Sequence, residues 1–183
     1  MSGSFGDPMM FLVRTLFELV IFVVMVRYFL QLFHANFFNP ITQSLVKLTN
    51  PVLNPLRNFL PKSRRHDFAS LLVTLVLIVL MVWVLGLMSV GHVSVAALLF
   101  NSLYFIFLLV TDLFFWTILM RAIASWIGSG RSPGVALLED LTDPILRPVQ
   151  KILPPLGGID LSPLAVLIAI QVVQIFVGNL LMG

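Results

Sequence analysis

The chain has 183 residues, of which 59% are hydrophobic and only 10% charged, with a formal net charge of +3. A soluble domain carries about 25% charged residues, so this composition, with a mean hydropathy of +1.04, excludes an ordinary water-soluble enzyme. It equally excludes a disordered chain, which needs few apolar residues and many charges. There is no cysteine, which removes disulfides, thiolate metal sites, cysteine nucleophiles and covalent c-type haem attachment.

Four apolar runs reach the roughly 20 helical residues needed to cross a hydrocarbon core of about 30 Å. They lie near residues 9–33, 68–90, 103–127 and 161–182. The third run has an apolar lead-in from residue 95. One helix from there to residue 127 would be about 50 Å long at 1.5 Å per residue, so 95–102 is expected to be a shallow or interfacial segment. The first run has no small-residue cleavage site and no basic residue before Arg14, and it is read as a retained helix rather than a signal peptide.

Of the eleven Lys and Arg residues, all but Arg14 fall in two intervals. The first holds Arg27, Lys47, Arg57, Lys62, Arg64 and Arg65, and the second Arg121, Arg131, Arg147 and Lys151. The positive-inside rule makes both long connections cytoplasmic and points both termini outward.

The two connections are copies of each other. Leu48-Thr49-Asn50-Pro51-Val52-Leu53-Asn54-Pro55 aligns with Leu141-Thr142-Asp143-Pro144-Ile145-Leu146-Arg147-Pro148 at an offset of 93, which also pairs Asp67 with Asp160. An offset of 94 pairs Glu18 with Asp112 and Arg27 with Arg121. Residues 1–94 and 95–183 therefore read as two repeats. Each is a span, a basic connection and a second span, so the copies share one topology, unlike inverted transporter repeats. The fold expected is all-α and polytopic, with four transmembrane helices.

Asn39-Pro40 and Ser132-Pro133 are helix-start signals, and Asn50-Pro51 and Asp143-Pro144 repeat the signal further on. Pro55 and Pro148 are expected to bend the helix. Val52, Leu53, Leu56, Phe59 and Leu60, and their second-copy equivalents, fall on one helical face. Arg57 in the first copy, and Arg147 and Lys151 in the second, occupy the other. Such an amphipathic segment can lie on anionic lipid, pack on the spans, or offer a groove to a membrane or cytoplasmic protein.

These residues resemble the YGGT family of small bacterial membrane proteins. The resemblance rests on Asn50-Pro51 to Pro55 with Asp67, and on Asp143-Pro144 to Pro148 with Gly157-Gly158-Ile159-Asp160-Leu161-Ser162-Pro163. It covers nearly the whole chain. The first copy departs from the pattern in having Asn50 for Asp143 and a basic stretch for the glycine pair. Membership implies a bacterial inner-membrane protein, with plastid relatives tied to photosynthetic-complex assembly and bacterial ones associated with osmotic stress, ion uptake and the division machinery.

Ionisable groups inside a span cost roughly 2.5–3.5 kcal/mol each and are functional candidates by default. Glu18 and Asp112 lie mid-span, and Arg27 and Arg121 follow nine residues later, on the opposite helix face about 13 Å along the axis. Each acid and its arginine therefore cannot pair within one helix. Arg14 can reach Glu18 four residues on; Asp112 has Leu108 at the matching position and lacks that partner. The arginines either pair across the repeat axis, face water-filled sites or snorkel to headgroups. Asp67 and Asp160 precede spans and are expected to cap helix starts, the alternative being that they latch an arginine of the basic connection.

His34 and His66 fall on the cytoplasmic side and His92 outside, so no site can use all three; His34 with His66 remains geometrically possible, but neither has a counterpart in the second repeat. No metal site and no cofactor are expected. No catalytic pattern occurs, and the small positive charge suits anionic lipid without calling for nucleic acid. Small residues such as Ala165, Ala169 and Gly178 offer close helix approach, within one chain or in a homo-oligomer. Two functions remain open. One is a membrane scaffold or assembly factor acting through the paired basic segments. The other is a potassium or proton channel, transporter subunit or uptake modulator using Glu18 and Asp112.

Overall fold

Capping side chains set where the helices begin. Asn39 accepts from the N–H of Ile41, Ser94 from Ala97 and Ser132 from Val135, each satisfying a backbone donor that a helix start leaves unpaired. The computed structural model describes residues 6–61, 63, 65–128, 132–153 and 160–182. Lys62, Arg64, Gly130, Arg131, and the proline and glycine pairs of residues 154–159 lie outside them. The described residues form six helices and no strand: α1 (Gly6–Leu32), α2 (Pro40–Arg57), α3 (Phe68–Val90), α4 (Val95–Ile127), α5 (Pro133–Ile152) and α6 (Ser162–Met182). Helices α1, α3, α4 and α6 are long and apolar enough to cross a membrane.

Two expectations are corrected. Residues 95–102 are not a separate shallow segment, because α4 runs unbroken for 33 residues. The stretch has a serine cap at its start and no glycine or proline to stop it, so helix propagation continues. Nor do Asn50-Pro51 and Asp143-Pro144 begin new helices. Helix α2 passes through Pro51 and Pro55, and α5 through Pro144 and Pro148.

The core lies toward the α2/α5 end and draws on both repeats. Met25, Val26 and Leu30 of α1 pack with Leu113, Phe114 and Ile118 of α4, Leu141 and Leu146 of α5 and Val166 of α6. Phe29 meets Phe114 edge-on at 4.8 Å between ring centroids, a favoured aromatic geometry. A second cluster joins Ile21 to Ile78 and Met81, and a third joins Val24 and Ala69 to Leu53 of α2. Helices α2 and α5 touch near their N-termini, where the Asn39 amide donates to the carbonyl of Pro133 at 2.7 Å and the N–H of Asn36 donates to Asp140 at 2.9 Å. The repeat relation is imperfect: α3 packs against both α1 and α4, while α6 packs on α4 and α5 and does not reach α1.

Candidate functional site

An arginine near the end of the first helix of each repeat is turned onto the proline-bearing helix that follows. In the first repeat Arg27 is only 4% exposed. Its Nη1 donates to the carbonyl of Val46 at 3.0 Å and to the hydroxyl of Thr49, and its Nη2 to Asn50 Oδ1 at 2.9 Å. Thr49 passes its own proton to the carbonyl of Leu45 at 2.8 Å, so its oxygen is left to accept. The Nε of Arg27 stands 3.5 Å from Asp67 Oδ2. Asp67 also takes the Nε and Nη2 of Arg57 and the hydroxyl of Ser70, the last at 2.7 Å.

The second repeat builds the same frame with different charges. Arg121 Nη1 donates to Thr142 at 2.7 Å and to Asp143 Oδ1 at 2.6 Å, and Thr142 donates back to Leu138 at 2.6 Å. Asp143 also holds Arg147 at 2.7 Å. Gln150 donates to Asp160 at 2.8 Å, which is the Arg57–Asp67 contact carried 93 residues on with a neutral donor. The counter-charge to the span arginine thus sits just before the following span in one repeat and on the proline helix in the other. That accounts for Asn50 standing where the second copy has Asp143.

Burial is the largest influence on the Asp67 carboxyl and would push it up. Hydrogen bonds from Arg57 and Ser70, with the charges of Arg57 and Arg27, outweigh it and hold the group below the ordinary carboxylate range. Asp143 is lowered in the same way, burial being outweighed by Arg121 and Arg147. Asp160 is lowered by the Ser162 N–H, Gln150 and the Arg121 charge against its burial.

Asp67 does not cap α3 through its side chain. Two guanidinium groups and a serine hydroxyl occupy the carboxylate, and these charge-assisted bonds win over a backbone N–H. Asp160 does accept from the N–H of Ser162 at 2.9 Å. Neither Arg27 nor Arg121 snorkels outward; both are folded against α2 and α5. Glu18 pairs with Arg14 at 2.7 Å, and the Arg14 guanidinium lies 5.6 Å from the centre of the Phe105 ring. Asp112 accepts from the Gln174 amide of α6 at 2.7 Å, and the same amide reaches Thr111 at 2.7 Å. Glu18 and Asp112 therefore stand apart from the arginine networks.

Arg147 and Lys151 are exposed on α5, whereas Arg57 is half-buried against Asp67. The apolar residues beside them divide between two surroundings. Leu53 is fully buried, with Leu56 and Leu60 packed near it, while Phe59 is 88% exposed. Leu146 is buried and Ile152 is 79% exposed. Pro51 and Pro144 each remove one helix bond just after the arginine-binding turn.

Thr49, Thr142, Ser70, Gln150 and Gln174 take part without having stood out in the sequence. The Thr-Asn and Thr-Asp doublets at matching positions were the available signal for the first two. The serine and glutamines gave none, since each depends on which helices become neighbours.

Two cavities occupy matching places beside these networks. The one beside Arg27 holds about 780 Å³ and its counterpart beside Arg121 about 1180 Å³. Neither is lined by Glu18 or Asp112. No group of three or more potential metal ligands occurs among the described residues.

Together these features define a class: a membrane-type helical protein of two tandem repeats, each locking a proline-bearing helix to a span through an arginine. The sequence model of the CCB3/YggT family matches the chain twice, over residues 7–88 and 100–181, and the chain belongs to that family. A Vibrio alginolyticus relative, called an uncharacterized protein in the proC 3'region, is 42% identical over 177 residues, covering 96% of both chains. The Escherichia coli protein called YggT is 35% identical over 179 residues, 96% of this chain and 92% of that one. A Pseudomonas aeruginosa relative is 37% identical over 174 residues, 92% of this chain and 87% of its own. No solved structure matches significantly.

Proposed function

We propose that the protein is a non-catalytic scaffold of a bacterial inner membrane that organises lipid or partner proteins through α2 and α5, in keeping with the family's link to osmotic stress. In this reading those helices lie on the cytoplasmic side and both termini face outward. The supporting observation is the locking of each proline-bearing helix by a span arginine. A segment held at several points against the bundle is a rigid platform. It leaves Phe59, Ile152, Arg147 and Lys151 facing away from the protein, an apolar and basic combination suited to the headgroup layer of anionic lipid.

Spin labelling tests this, because the chain has no cysteine of its own. A single cysteine at Phe59 or Ile152, labelled in liposomes, should report a depth at the headgroup–acyl boundary and should sink further when anionic lipid is added. Labels fully exposed to water in both lipids would overturn the lipid-facing platform and leave a protein partner as its occupant.

The alternative is an ion channel, transporter subunit or uptake modulator using Glu18 and Asp112. Its support is the polar Asp112–Gln174–Thr111 cluster within the spans, where isolated polar groups are costly.

A further inference from the structure

Among the described residues, the linings of the two matching cavities carry opposite formal charge. The first is lined by Arg27, Arg57 and Asp67, two arginines against one carboxylate. The second is lined by Arg121, Glu139 and Asp160, one arginine against two carboxylates. Glu139 stands where the first repeat has Val46, and Gln150 stands where it has Arg57. His34 and His66 add imidazole rings to the first cavity.

His34 carries a second, independent sign of selection for a side chain. It lies two residues past the end of α1 in the left-handed region, with φ +55°, and is the only non-glycine residue described with positive φ. The corresponding residue of the second repeat is Gly128, at φ +66°, the residue type that this conformation favours. The first repeat therefore tolerates a backbone strain that glycine would relieve, and the side chain so retained lines the cavity. Such strain, where it persists, clusters at ligand sites.

The donors are also placed to act outward. Arg57 grips Asp67 with Nε and Nη2, which leaves Nη1 with no hydrogen bond among the described residues. The amide of Asn54 and the ring of His34, both lining the cavity, likewise bond to none of them. Donors on α2 and just past the end of α1, lining one cavity, suit a tetrahedral oxyanion with several acceptor oxygens better than a planar carboxylate. A cavity of about 780 Å³ also leaves room for the group that carries it.

We propose that the first-repeat cavity binds a phosphate group, of a lipid headgroup or of a soluble phosphorylated compound, and that its second-repeat counterpart does not. This goes beyond the scaffold reading and does not depend on it. The full chain is placed in phosphatidylcholine nanodiscs and titrated with inorganic phosphate by calorimetry. In a parallel arm, discs containing phosphatidic acid are examined by native mass spectrometry for lipid retained on the protein.

Wild type should bind in at least one arm. Phosphate binding without lipid retention identifies a soluble ligand, and preferential retention of phosphatidic acid identifies a headgroup. Arg57→Gln, which installs the residue of the second repeat, should weaken binding about tenfold, the scale of one charge-assisted hydrogen bond. His34→Gly should weaken it several-fold without lowering the melting temperature, so misfolding cannot account for the loss. Lys47→Gln removes an equal charge from an exposed position of α2 outside the cavity and should leave binding unchanged. Absence of binding in both arms overturns the proposal, as does equal binding by wild type, Arg57→Gln and His34→Gly, or an equal loss in Lys47→Gln.

Discussion

Arg27 and Asp67 flank the α2-bearing connection of the first repeat and meet at 3.5 Å, with both side chains at most 5% exposed. Everything between them in the sequence, including α2, is closed into a loop by that contact. A buried ion pair is weak evidence of net stabilisation, but removing one partner strands the other in a poorly solvated place. Asp67→Asn leaves both Arg27 and Arg57 without a counter-charge and should destabilise the protein by about 3 kcal/mol. Asp143→Asn should cost about 1 kcal/mol, because Arg121 and Asp143 are 22% and 28% exposed and water screens the loss. Unfolding in detergent by heat or by dodecyl sulfate checks the difference.

The lowered carboxyls set a direction for pH. Folded Asp67 and Asp143 bind a proton less readily than they do in the unfolded chain. Their contribution is therefore fully present above the ordinary carboxylate pKa of about 4 and is lost as pH falls through the lower folded values. Melting temperature should drop steeply on acidification below about pH 4, and the drop should be shallower in Asp67→Asn.

The left-handed ends of α1 and α4 make a reciprocal test. His34→Gly should raise stability and Gly128→His should lower it, each by about 1 kcal/mol, the scale of a left-handed residue with a Cβ. Equal and opposite shifts in unfolding midpoint would be the expected result.

Gly86 lies in α3 beside the turn into α4, where an added Cβ would stand 2.4 Å from a methyl of Val93. Valine has little rotamer freedom to yield. Gly86→Ala should cost about 1–3 kcal/mol, as overpacking generally does, and Gly86→Ala with Val93→Ala should recover most of it.

On the scaffold reading, purified protein in proteoliposomes should pass no potassium above empty vesicles under an imposed potential or osmotic gradient. The Glu18→Gln/Asp112→Asn variant should behave identically. Flux that falls in the variant would instead select the transport reading.

Much of this was legible before any coordinates. Membrane-length helices declare themselves by apolar run length, and the doubled Asn/Asp-Pro segment declares the repeat. The spacing of Arg14 and Glu18 gave their pair. The roles of Arg27 and Arg121 were not legible, because their partners Thr49, Asn50, Thr142 and Asp143 lie on another helix whose facing side depends on packing. Asp67 reads from the sequence either as a helix cap or as a latch for an arginine of the basic connection, and the packing of α2 selects the latch, with Arg57 and Arg27 drawing the carboxylate away from the backbone. The length of α4 is not legible from bilayer thickness, because nothing in its own chemistry between Val95 and Ile127 ends the helix.

That helix has a mechanical consequence. Thirty-three residues make a rod of about 50 Å, against a hydrocarbon layer of about 30 Å. Standing upright, it would leave several turns of apolar surface in water, among them Val95 and Leu99. Leaning over brings those turns into lipid, at a cost that changes with every ångström of membrane thickness. Because α3 of the first repeat and α5 and α6 of the second are all packed on it, a change in its lean would be shared by both halves of the bundle rather than absorbed by α4 alone.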